Sequence, residues 1–407
     1  MKSSRSPLDR VAQRVREIPR SGIRDFFDVV SRRPDAISLG VGEPGFPTPW
    51  HIRDAAVYAL ERGATGYTSN LGLLELRQAL SRYVAKTFGV EYDPETEILV
   101  TTGVSEAVDL ALRALVDPGD EVVYHEPCYV SYAPVTQLAG GIPKVVATRF
   151  EEGFRLVPGR LEEVVGDRTK ILLLNFPNNP TGADVPREDL EAVAAIARER
   201  DLVVITDEIY AELTYEGSHC SIAALPGMRE RTLLLHGFSK AWAMTGFRLG
   251  YACGPAAWIE AMMKIHQYTM LCAPTLSQVA AVEALERADA DVPEMRERYR
   301  RNRNFMIAAF AEMGLPVVRP AGAFYAFPRI SHLGVDSRTF AVQLLEEEDV
   351  AVVPGDAFGA AGAGYIRCSY ATDFEQIKVA LARMARFVEG LRRRVARTAS
   401  RTALRQS

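Results

Sequence analysis

The sequence is poor in cysteine, and its cysteines form neither a disulfide framework nor a zinc-binding pattern. Five occur among 407 residues, an odd number, and no pair has the CxxC spacing of a metal site. We interpret them as separate thiols, buried or incidental, and we expect no metal site. Their positions are Cys128, Cys220, Cys253, Cys272 and Cys368.

Long apolar runs and an excess of basic charge are also missing. Nowhere do eighteen apolar residues follow one another, and residues 1–20 contain no apolar run of signal-peptide length. Lys and Arg total 48 against 52 Asp and Glu, so no net basic field attracts nucleic acid or an anionic membrane. We therefore expect a cytoplasmic protein that binds neither. Arginines crowd into the last sixteen residues, which we interpret as a frayed helix end and a solvated tail.

Strand-like apolar runs alternate with helical patterns through the middle of the chain. EILVTT precedes SEAVDLALRALV, and TKILLLNF precedes REDLEAVAAIARER. Several runs, at 171–174, 202–205 and 233–235, are apolar at nearly every position, as in parallel strands covered on both faces. The pattern predicts an α/β fold with a mostly parallel sheet between helices. Ligand sites in such sheets lie where strands end and loops begin.

The pattern changes from about Leu285 to a long charged helical stretch followed by short strands punctuated by Pro and Gly. This change predicts a smaller α+β domain that shares a cleft with the large one. We predict an opening segment over 1–45 that joins the small domain and a large cofactor-binding domain over 46–285. The small domain follows over 286–395, and 396–407 form a disordered tail.

Three glycines in LGVGEPGF, residues 39–46, spell GxGxxG and would nominate a dinucleotide site. Prolines at 44, 47 and 49 stand where the phosphate-binding helix would begin, so we discount this match. The sequence has no GxxxxGK[ST] motif either, which removes the common nucleotide-triphosphate interpretation.

The strongest motif is HGFSKAWAMTGFRLGY, directly after the predicted strand that ends near Leu235. The amine of Lys240 can form a Schiff base with an aldehyde, and desolvation beside another cation favours its neutral, nucleophilic form. Arg248 offers a planar fork to phosphate oxygens. A solvated surface pair is the usual alternative, but the apolar neighbours Phe238 and Trp242 argue against it.

The stretch from Ser239 to Gly250 resembles the SKxxxxxGxRxG hallmark of the class I/II aminotransferases, the fold type I pyridoxal-phosphate enzymes. The resemblance continues along nearly the whole chain, in the family's order of motifs. It implies a pyridoxal 5′-phosphate-dependent aminotransferase that moves an amino group between an L-amino acid and a 2-oxo acid. It also implies that Ser239, Lys240 and Arg248 bind the cofactor, and that Lys240 carries it in a Schiff base and moves the proton at Cα.

Two further segments match cofactor-binding motifs of the family. Val104 and Ser105 follow Gly103 at a strand-to-helix junction, where free backbone N–H groups suit a phosphate. Ser105 in isolation is more often a simple helix cap. The resemblance implies that Val104 and Ser105 hold the cofactor phosphate and that Tyr129 stacks on the pyridine ring, although a core tyrosine is the alternative for Tyr129.

The resemblance places three more residues around the cofactor ring. It implies that Asp207, at the end of a predicted strand, pairs with the protonated ring nitrogen, and that Asn179 and Tyr210 donate to the 3′-oxygen. Turn chemistry is the alternative for Asn179, and a solvated carboxylate at a strand end is the alternative for Asp207.

The resemblance also implies a substrate site and a dimer. Arg367, in GYIRCSYAT, matches the arginine that binds the substrate's α-carboxylate, although a surface arginine is the common alternative. Gly42 matches the glycine that lets the substrate approach the backbone, and Asn179 contributes to the same site. Tyr67 matches a tyrosine that reaches the phosphate of the neighbouring subunit, which implies a homodimer with shared sites.

Two positions depart from the family pattern. Gly237 stands three residues before Lys240, where many relatives carry a hydroxyl residue. Ser105 stands where some aspartate-using relatives carry a lysine, so we predict that a neutral amino acid is a better donor than aspartate. Another reaction on the same scaffold, a C–S β-lyase or decarboxylase, stays open. A DNA-binding regulator is disfavoured, because about thirty residues before the first motif are too few for a winged helix.

Overall fold

The computed structural model of the protein describes residues 6–20, 33 and 35–406, and for residues 288 and 395–406 it describes the backbone alone. Residues 1–5, 21–32 and 34, which belong to the predicted opening segment, and residue 407 lie outside this description. The described α-helices are α1 (Gln13–Arg16), α2 (Trp50–Glu61), α3 (Leu74–Phe88), α4 (Val104–Leu115), α5 (Tyr132–Ala139), α6 (Pro158–Glu162), α7 (Arg187–Glu199), α8 (Ala256–Thr269), α9 (Thr275–Glu286), α10 (Ala288–Glu312), α11 (Ser337–Glu348) and α12 (Phe374–Gln406).

The main sheet consists of seven strands: β2 (Ile98–Thr101), β3 (Glu121–Glu126), β4 (Ile142–Ala147), β5 (Thr169–Asn175), β6 (Val203–Asp207), β7 (Thr232–Gly237) and β8 (Gly250–Cys253). Their order in the sheet is β2-β8-β7-β6-β5-β3-β4. β8 is antiparallel to both of its neighbours, and the remaining pairings are parallel. The predicted α/β fold with a mostly parallel sheet is confirmed.

The main sheet is covered on both faces because its central strands are apolar at nearly every position. On β5, Ile171 and Leu173 pack with residues of helices α4 and α8. Leu172 and Leu174 point the other way and pack with residues of helix α7. Since both faces are buried, the polar residues of these strands concentrate at the strand ends.

Two smaller sheets complete the fold. β9 (Tyr325–Ala326), β11 (Val353–Pro354) and β12 (Ile366–Ser369) form an antiparallel sheet with β12 in the middle. β1 (Ile37–Ser38) pairs in parallel with β10 (Val350–Ala351), so the described end of the opening segment lies beside the later part of the chain. The predicted domain boundaries at 45, 285 and 395 stay predictions.

The last helix reaches into residues 396–407, where a disordered tail stays a prediction. The backbone of α12 remains helical to Gln406. The physical reason lies in composition, because residues after Gly390 include no glycine or proline and are rich in arginine, alanine and leucine, which favour helix. Among the described residues, no helix combines the length and apolarity needed to cross a membrane.

Candidate active site

A cavity of about 610 Å³ lies at the carboxyl ends of the parallel strands. Every site residue predicted from the sequence lines it, with the exception of Tyr67. The predicted residues brought together there are Gly42, Val104, Ser105, Tyr129, Asn179, Asp207, Tyr210, Ser239, Lys240, Arg248 and Arg367. Among the described residues there is no cluster of His, Cys, Asp and Glu suited to a metal ion.

Strand register explains how distant residues meet at this edge. β5 ends at Asn175 and β6 at Asp207, and these two residues are paired in register. β7 ends at Gly237, three residues before Lys240. Because parallel strands end at the same edge of a sheet, the residues at or just after their last positions converge.

Lys240 is one of the residues that line the cavity. Its Nζ donates a 2.7 Å hydrogen bond to the carbonyl oxygen of Gly42. Burial lowers the pKa of Lys240 to about 8, and the nearby positive charges of Arg367 and Arg248 act in the same direction, against the carboxylate of Glu43. A substantial fraction of this amine is therefore neutral, and able to act as a nucleophile or a base, just above neutral pH.

Asp207 is buried at the floor of the cavity. Tyr132 Oη donates to its Oδ2 at 2.8 Å, and the backbone N–H of Ile209 donates to its Oδ1 at 3.2 Å. Burial raises the pKa of Asp207 to about 6, while these hydrogen bonds oppose the rise. These two hydrogen-bond donors to the Asp207 carboxylate are neutral groups. A cationic partner such as a protonated ring nitrogen therefore suits this position.

An anion-binding cup lies at the start of helix α4. Gly103 has φ +81°, and a Cβ there would lie 2.9 Å from Nη2 of Arg248. The glycine therefore allows the guanidinium to approach the helix end, where the backbone N–H groups of Val104 and Ser105 begin the first turn. A planar cation beside a helix N-terminus matches the charge and geometry of a phosphate.

The glycine at 237, a departure from the family pattern, has a steric cause. A Cβ at Gly237 would lie 2.9 Å from both the Cα of Gly250 and the carbonyl oxygen of Leu249. It would also lie 3.3 Å from Cγ2 of Val104. β7 and β8 thus leave no room for a hydroxyl side chain at this position.

Arg367 forms the opposite side of the cavity. Its Nη1 donates to Oδ1 of Asn179 at 2.9 Å, and its Nη2 donates to the carbonyl oxygen of Gly40 at 2.6 Å. The guanidinium also lies over the rings of Tyr325 and Phe358, at 4.4 and 4.8 Å from their centroids. Its Nε is buried without a hydrogen-bond partner among the described residues. An anionic ligand would satisfy that donor.

Tyr325, Tyr132 and Asn175, which were not predicted as site residues, also line the cavity and contact its predicted residues. Tyr325 lies 3.0 Å, oxygen to oxygen, from Tyr210, and a Cβ at Gly42 would come within 2.9 Å of the same Tyr325 hydroxyl. Tyr132 donates to Asp207, and the buried Asn175 lies beside them. Tyr132 lies three residues after Tyr129 in the sequence EPCYVSY, residues 126–132, so helical spacing was the available signal.

Tyr67 lies outside the cavity. Its side chain is 84% exposed in the single chain. Other large apolar side chains are exposed as well, including Tyr58 and Leu60 of helix α2 and Tyr268 at the end of helix α8. An exposed apolar group of this kind is typical of a surface that another protein covers.

These features fit pyridoxal 5′-phosphate group by group. The cup beside Arg248 suits its phosphate, Asp207 suits a protonated ring nitrogen, and the amine of Lys240 suits its aldehyde. The ring of Tyr129 lines the space between them, where it makes an edge contact with Tyr132 at 5.7 Å between centroids.

Comparison with known proteins agrees with this fit. The family profile described as "Aminotransferase class I and II" matches residues 34–384. Aromatic-amino-acid aminotransferase 2 of Thermococcus litoralis is 44% identical over 382 residues, or 93% of this chain and 98% of that protein. The aspartate aminotransferase of Pyrococcus abyssi is 47% identical over 367 residues, or 89% of this chain and 94% of that protein.

A solved structure shows the same fold. The aromatic aminotransferase from Pyrococcus horikoshii superposes with a TM-score of 0.86 at 47% identity, over 90% of this chain and 99% of that chain. The predicted family, fold, enzyme class and cofactor are thereby confirmed. The chain belongs to the class I and II aminotransferases, the fold type I enzymes that transfer amino groups with pyridoxal phosphate.

Proposed function

We propose that the enzyme moves an amino group from a neutral L-amino acid to a 2-oxo acid, with Lys240 as the residue that carries the cofactor and moves the proton. The observation that carries the proposal is the position of Lys240, an amine with a lowered pKa, between the anion cup at Arg248 and the guanidinium of Arg367. One cavity thus offers sites for a phosphate, an aldehyde and a substrate carboxylate.

Each cofactor group has a residue to hold it. Arg248 and the N–H groups at the start of helix α4 would hold the phosphate, and Asp207 would accept a hydrogen bond from the ring nitrogen. Asn179 and Tyr210 would donate to the 3′-oxygen, Tyr129 would pack against the ring, and Ser239 would line the phosphate side. When bound, pyridoxal phosphate supplies an electron sink for the electrons left at Cα after a bond there breaks.

The protein supplies orientation and proton transfer. Arg367 binds the α-carboxylate through two parallel hydrogen bonds, and with Gly42 at its side this fixes which bond at Cα stands perpendicular to the ring. Lys240, in its neutral form, removes the proton from Cα. The resulting ammonium group then donates that proton to complete the exchange. A pKa near 8 suits both halves of this task, because both protonation states are accessible within about one pH unit of that value.

The charges of the cavity support a neutral donor. Its described cations are Lys240, Arg248 and Arg367, and each already has a partner in the scheme above. Ser105 and the carboxylate of Glu43 also line the wall. A distal carboxylate enclosed there would find no further cationic partner among the described residues that line the cavity, and an unpaired buried charge costs several kcal/mol. An arginine of the opening segment or of the partner subunit is the alternative partner. The names of the relatives, aromatic and aspartate aminotransferases, leave both donor classes to be compared.

We also propose that the enzyme is a homodimer with shared sites and acts in the cytoplasm. The exposure of Tyr67 supports the dimer, since a second copy would cover it and bring it to the partner's phosphate cup. All five cysteines are free, which agrees with a reducing compartment.

A substrate panel tests the reaction. Aspartate, phenylalanine, leucine and alanine are compared by kcat/KM against 2-oxoglutarate, pyruvate and oxaloacetate. We expect amination of the oxo acid that depends on both substrates, with phenylalanine or leucine ahead of aspartate. A clear preference for aspartate would overturn the neutral donor. Release of thiol or carbon dioxide without an oxo acid would overturn transamination in favour of a lyase or decarboxylase.

A further inference from the structure

We propose that Asn175, the last residue of β5, is a positioning residue that couples the cofactor end of the cavity to the substrate end. The proposal rests on the proposed roles of Asp207 and Arg367. It adds to them a single side chain whose two polar atoms hold the two ends at fixed positions relative to one another.

The coupling is a continuous series of hydrogen bonds. Asn175 Nδ2 donates to the backbone oxygen of Asp207 at 2.9 Å, and its Oδ1 accepts from the backbone N–H of Asn179 at 3.1 Å. Oδ1 of Asn179 in turn accepts from Nη1 of Arg367 at 2.9 Å. Asn175 and Asn179 therefore connect Asp207, the ring-nitrogen partner, to Arg367, the carboxylate clamp, and Asn175 makes both of its connections through its side-chain amide.

The fold holds Asn175 firmly in this place. It pairs in register with Asp207 across β5 and β6, and it is only 1% exposed. Its backbone N–H donates to Nε2 of His125 at 3.3 Å. Burial lowers the pKa of His125 to about 4, so the imidazole is neutral and Nε2 is free to accept. Each polar atom of the Asn175 side-chain amide also has a protein partner.

Loss of this amide would affect both ends at once. Two buried backbone groups, the oxygen of Asp207 and the N–H of Asn179, would lose their described side-chain partner. Each belongs to a residue that lines the cavity, and small displacements of such residues reduce rate and affinity strongly. A merely structural asparagine would affect stability without this joint effect.

Asn178 provides a matched control in the same turn. It is equally buried, at 1% exposure, and its Oδ1 accepts from the backbone N–H of Thr181 at 3.1 Å and from Oγ1 of Thr181 at 2.7 Å. Its Nδ2 donates to the backbone oxygen of Asn175 at 3.5 Å. None of these bonds involves the side-chain amide of Asn175, and none reaches Asp207 or Arg367. Replacement of Asn178 therefore removes a comparable buried amide but leaves the side-chain hydrogen bonds of the series in place.

The experiment compares Asn175→Ala with Asn178→Ala in the full-length enzyme. The measurements are kcat, KM for the amino donor, the melting temperature and the Kd of pyridoxal phosphate for the apoenzyme by equilibrium dialysis. We expect Asn175→Ala to lower kcat and to raise both KM and Kd, each by about tenfold. Asn178→Ala should stay within about twofold of the wild type in all three at a similar loss of melting temperature. Equal effects from the two variants would overturn the proposal.

Asn175→Asp separates the connection to Asp207 from the connection to Asn179. It also tests the proposal if Asn175→Ala does not fold. The aspartate keeps an oxygen for the N–H of Asn179 but loses the donor to the oxygen of Asp207. We expect a KM near that of the wild type, with kcat and Kd changed as in Asn175→Ala. A raised KM, or an unchanged kcat, would overturn the coupling. Absence of amino transfer in the wild type would instead contradict the proposed function, while the Kd comparison would still test Asn175.

Discussion

The cofactor end and the substrate end of the cavity are built on different sheets. Asp207 ends β6 of the seven-stranded sheet, and Lys240 follows β7 of the same sheet. Arg367 lies in β12 of the three-stranded sheet, and contacts such as the Arg367–Asn179 and Tyr210–Tyr325 hydrogen bonds bring the two sheets together. The first end is fixed by strand register, whereas the second depends on contacts between sheets.

This difference predicts that substitutions at the two ends of the cavity impair the enzyme in different ways. A residue at the cofactor end should determine whether chemistry occurs at all. A residue at the substrate end should determine mainly how well the amino acid is bound and oriented.

Replacement of Lys240 should give the largest loss. Lys240→Ala removes the amine that carries the cofactor and the base that moves the proton, so kcat should fall by about 10⁴-fold or more. The control is Lys264→Ala, because Lys264 is 64% exposed and pairs only loosely with Glu260 at 3.9 Å. Steady-state kinetics and the absorption of the purified protein measure the effect. Full activity of Lys240→Ala, or a colourless wild type, would refute the assignment.

Arg367→Lys should affect mainly the substrate end. A lysine keeps the charge but loses the planar fork, so kcat/KM should fall by about 10- to 100-fold, mostly through KM. Cofactor absorption should stay unchanged. Arg329→Lys is the control, since Arg329 also lies over an aromatic ring, that of Phe150 at 4.4 Å, and pairs with Glu151. Loss of cofactor with an unchanged KM would assign Arg367 to the cofactor end instead.

The pH dependence of cofactor capture should reveal the pKa of Lys240. Only the neutral amine attacks an aldehyde, and burial lowers the pKa of Lys240 to about 8. The capture rate of the apoenzyme should therefore rise about tenfold from pH 7 to pH 9 and then level off. Stopped-flow absorbance measures it. Glu43→Gln should shift the midpoint downward, because the Glu43 carboxylate raises this pKa. A rate that still climbs at pH 10 would indicate an ordinary lysine.

Substitution of Tyr67 tests whether a second subunit contributes a residue to the cofactor site. Tyr67→Phe removes one hydroxyl from a side chain that is 84% exposed in the single chain, so the Kd of pyridoxal phosphate should rise by about tenfold without loss of stability. Tyr58→Phe, another exposed tyrosine, is the control.

Heterodimers sharpen this last comparison. One chain carries Lys240→Ala and the other carries Tyr67→Phe, which leaves one lysine-bearing site. If Tyr67 crosses between subunits, that site receives the intact tyrosine, and its Kd should equal that of the wild type. A Kd like that of the Tyr67→Phe homodimer would place Tyr67 in the site of its own chain.

The cofactor end was the more predictable part of the molecule. Buried apolar runs indicated the parallel strands, and Lys240 follows one of them with chemistry that residue types alone suggest. Arg367 and Asn179 came from family resemblance, because their contact joins residues 188 positions apart. Tyr325 and Asn175 were missed for a related reason, since their roles depend on hydrogen-bond partners that no local spacing specifies. The disordered tail over 396–407 stays a prediction.

The opening segment accepts hydrogen bonds from both the cofactor end and the substrate end of the cavity, so it can report whether the cofactor is bound. The carbonyl oxygens of Gly40 and Gly42, two residues apart, accept from Arg367 and Lys240 respectively. When Lys240 is occupied by the cofactor, the peptide group after Gly42 loses its donor while Gly40 keeps its own. The stretching frequency of an isotope-labelled Gly42 carbonyl, compared with that of a labelled Gly40 carbonyl, would then report cofactor loading without turnover.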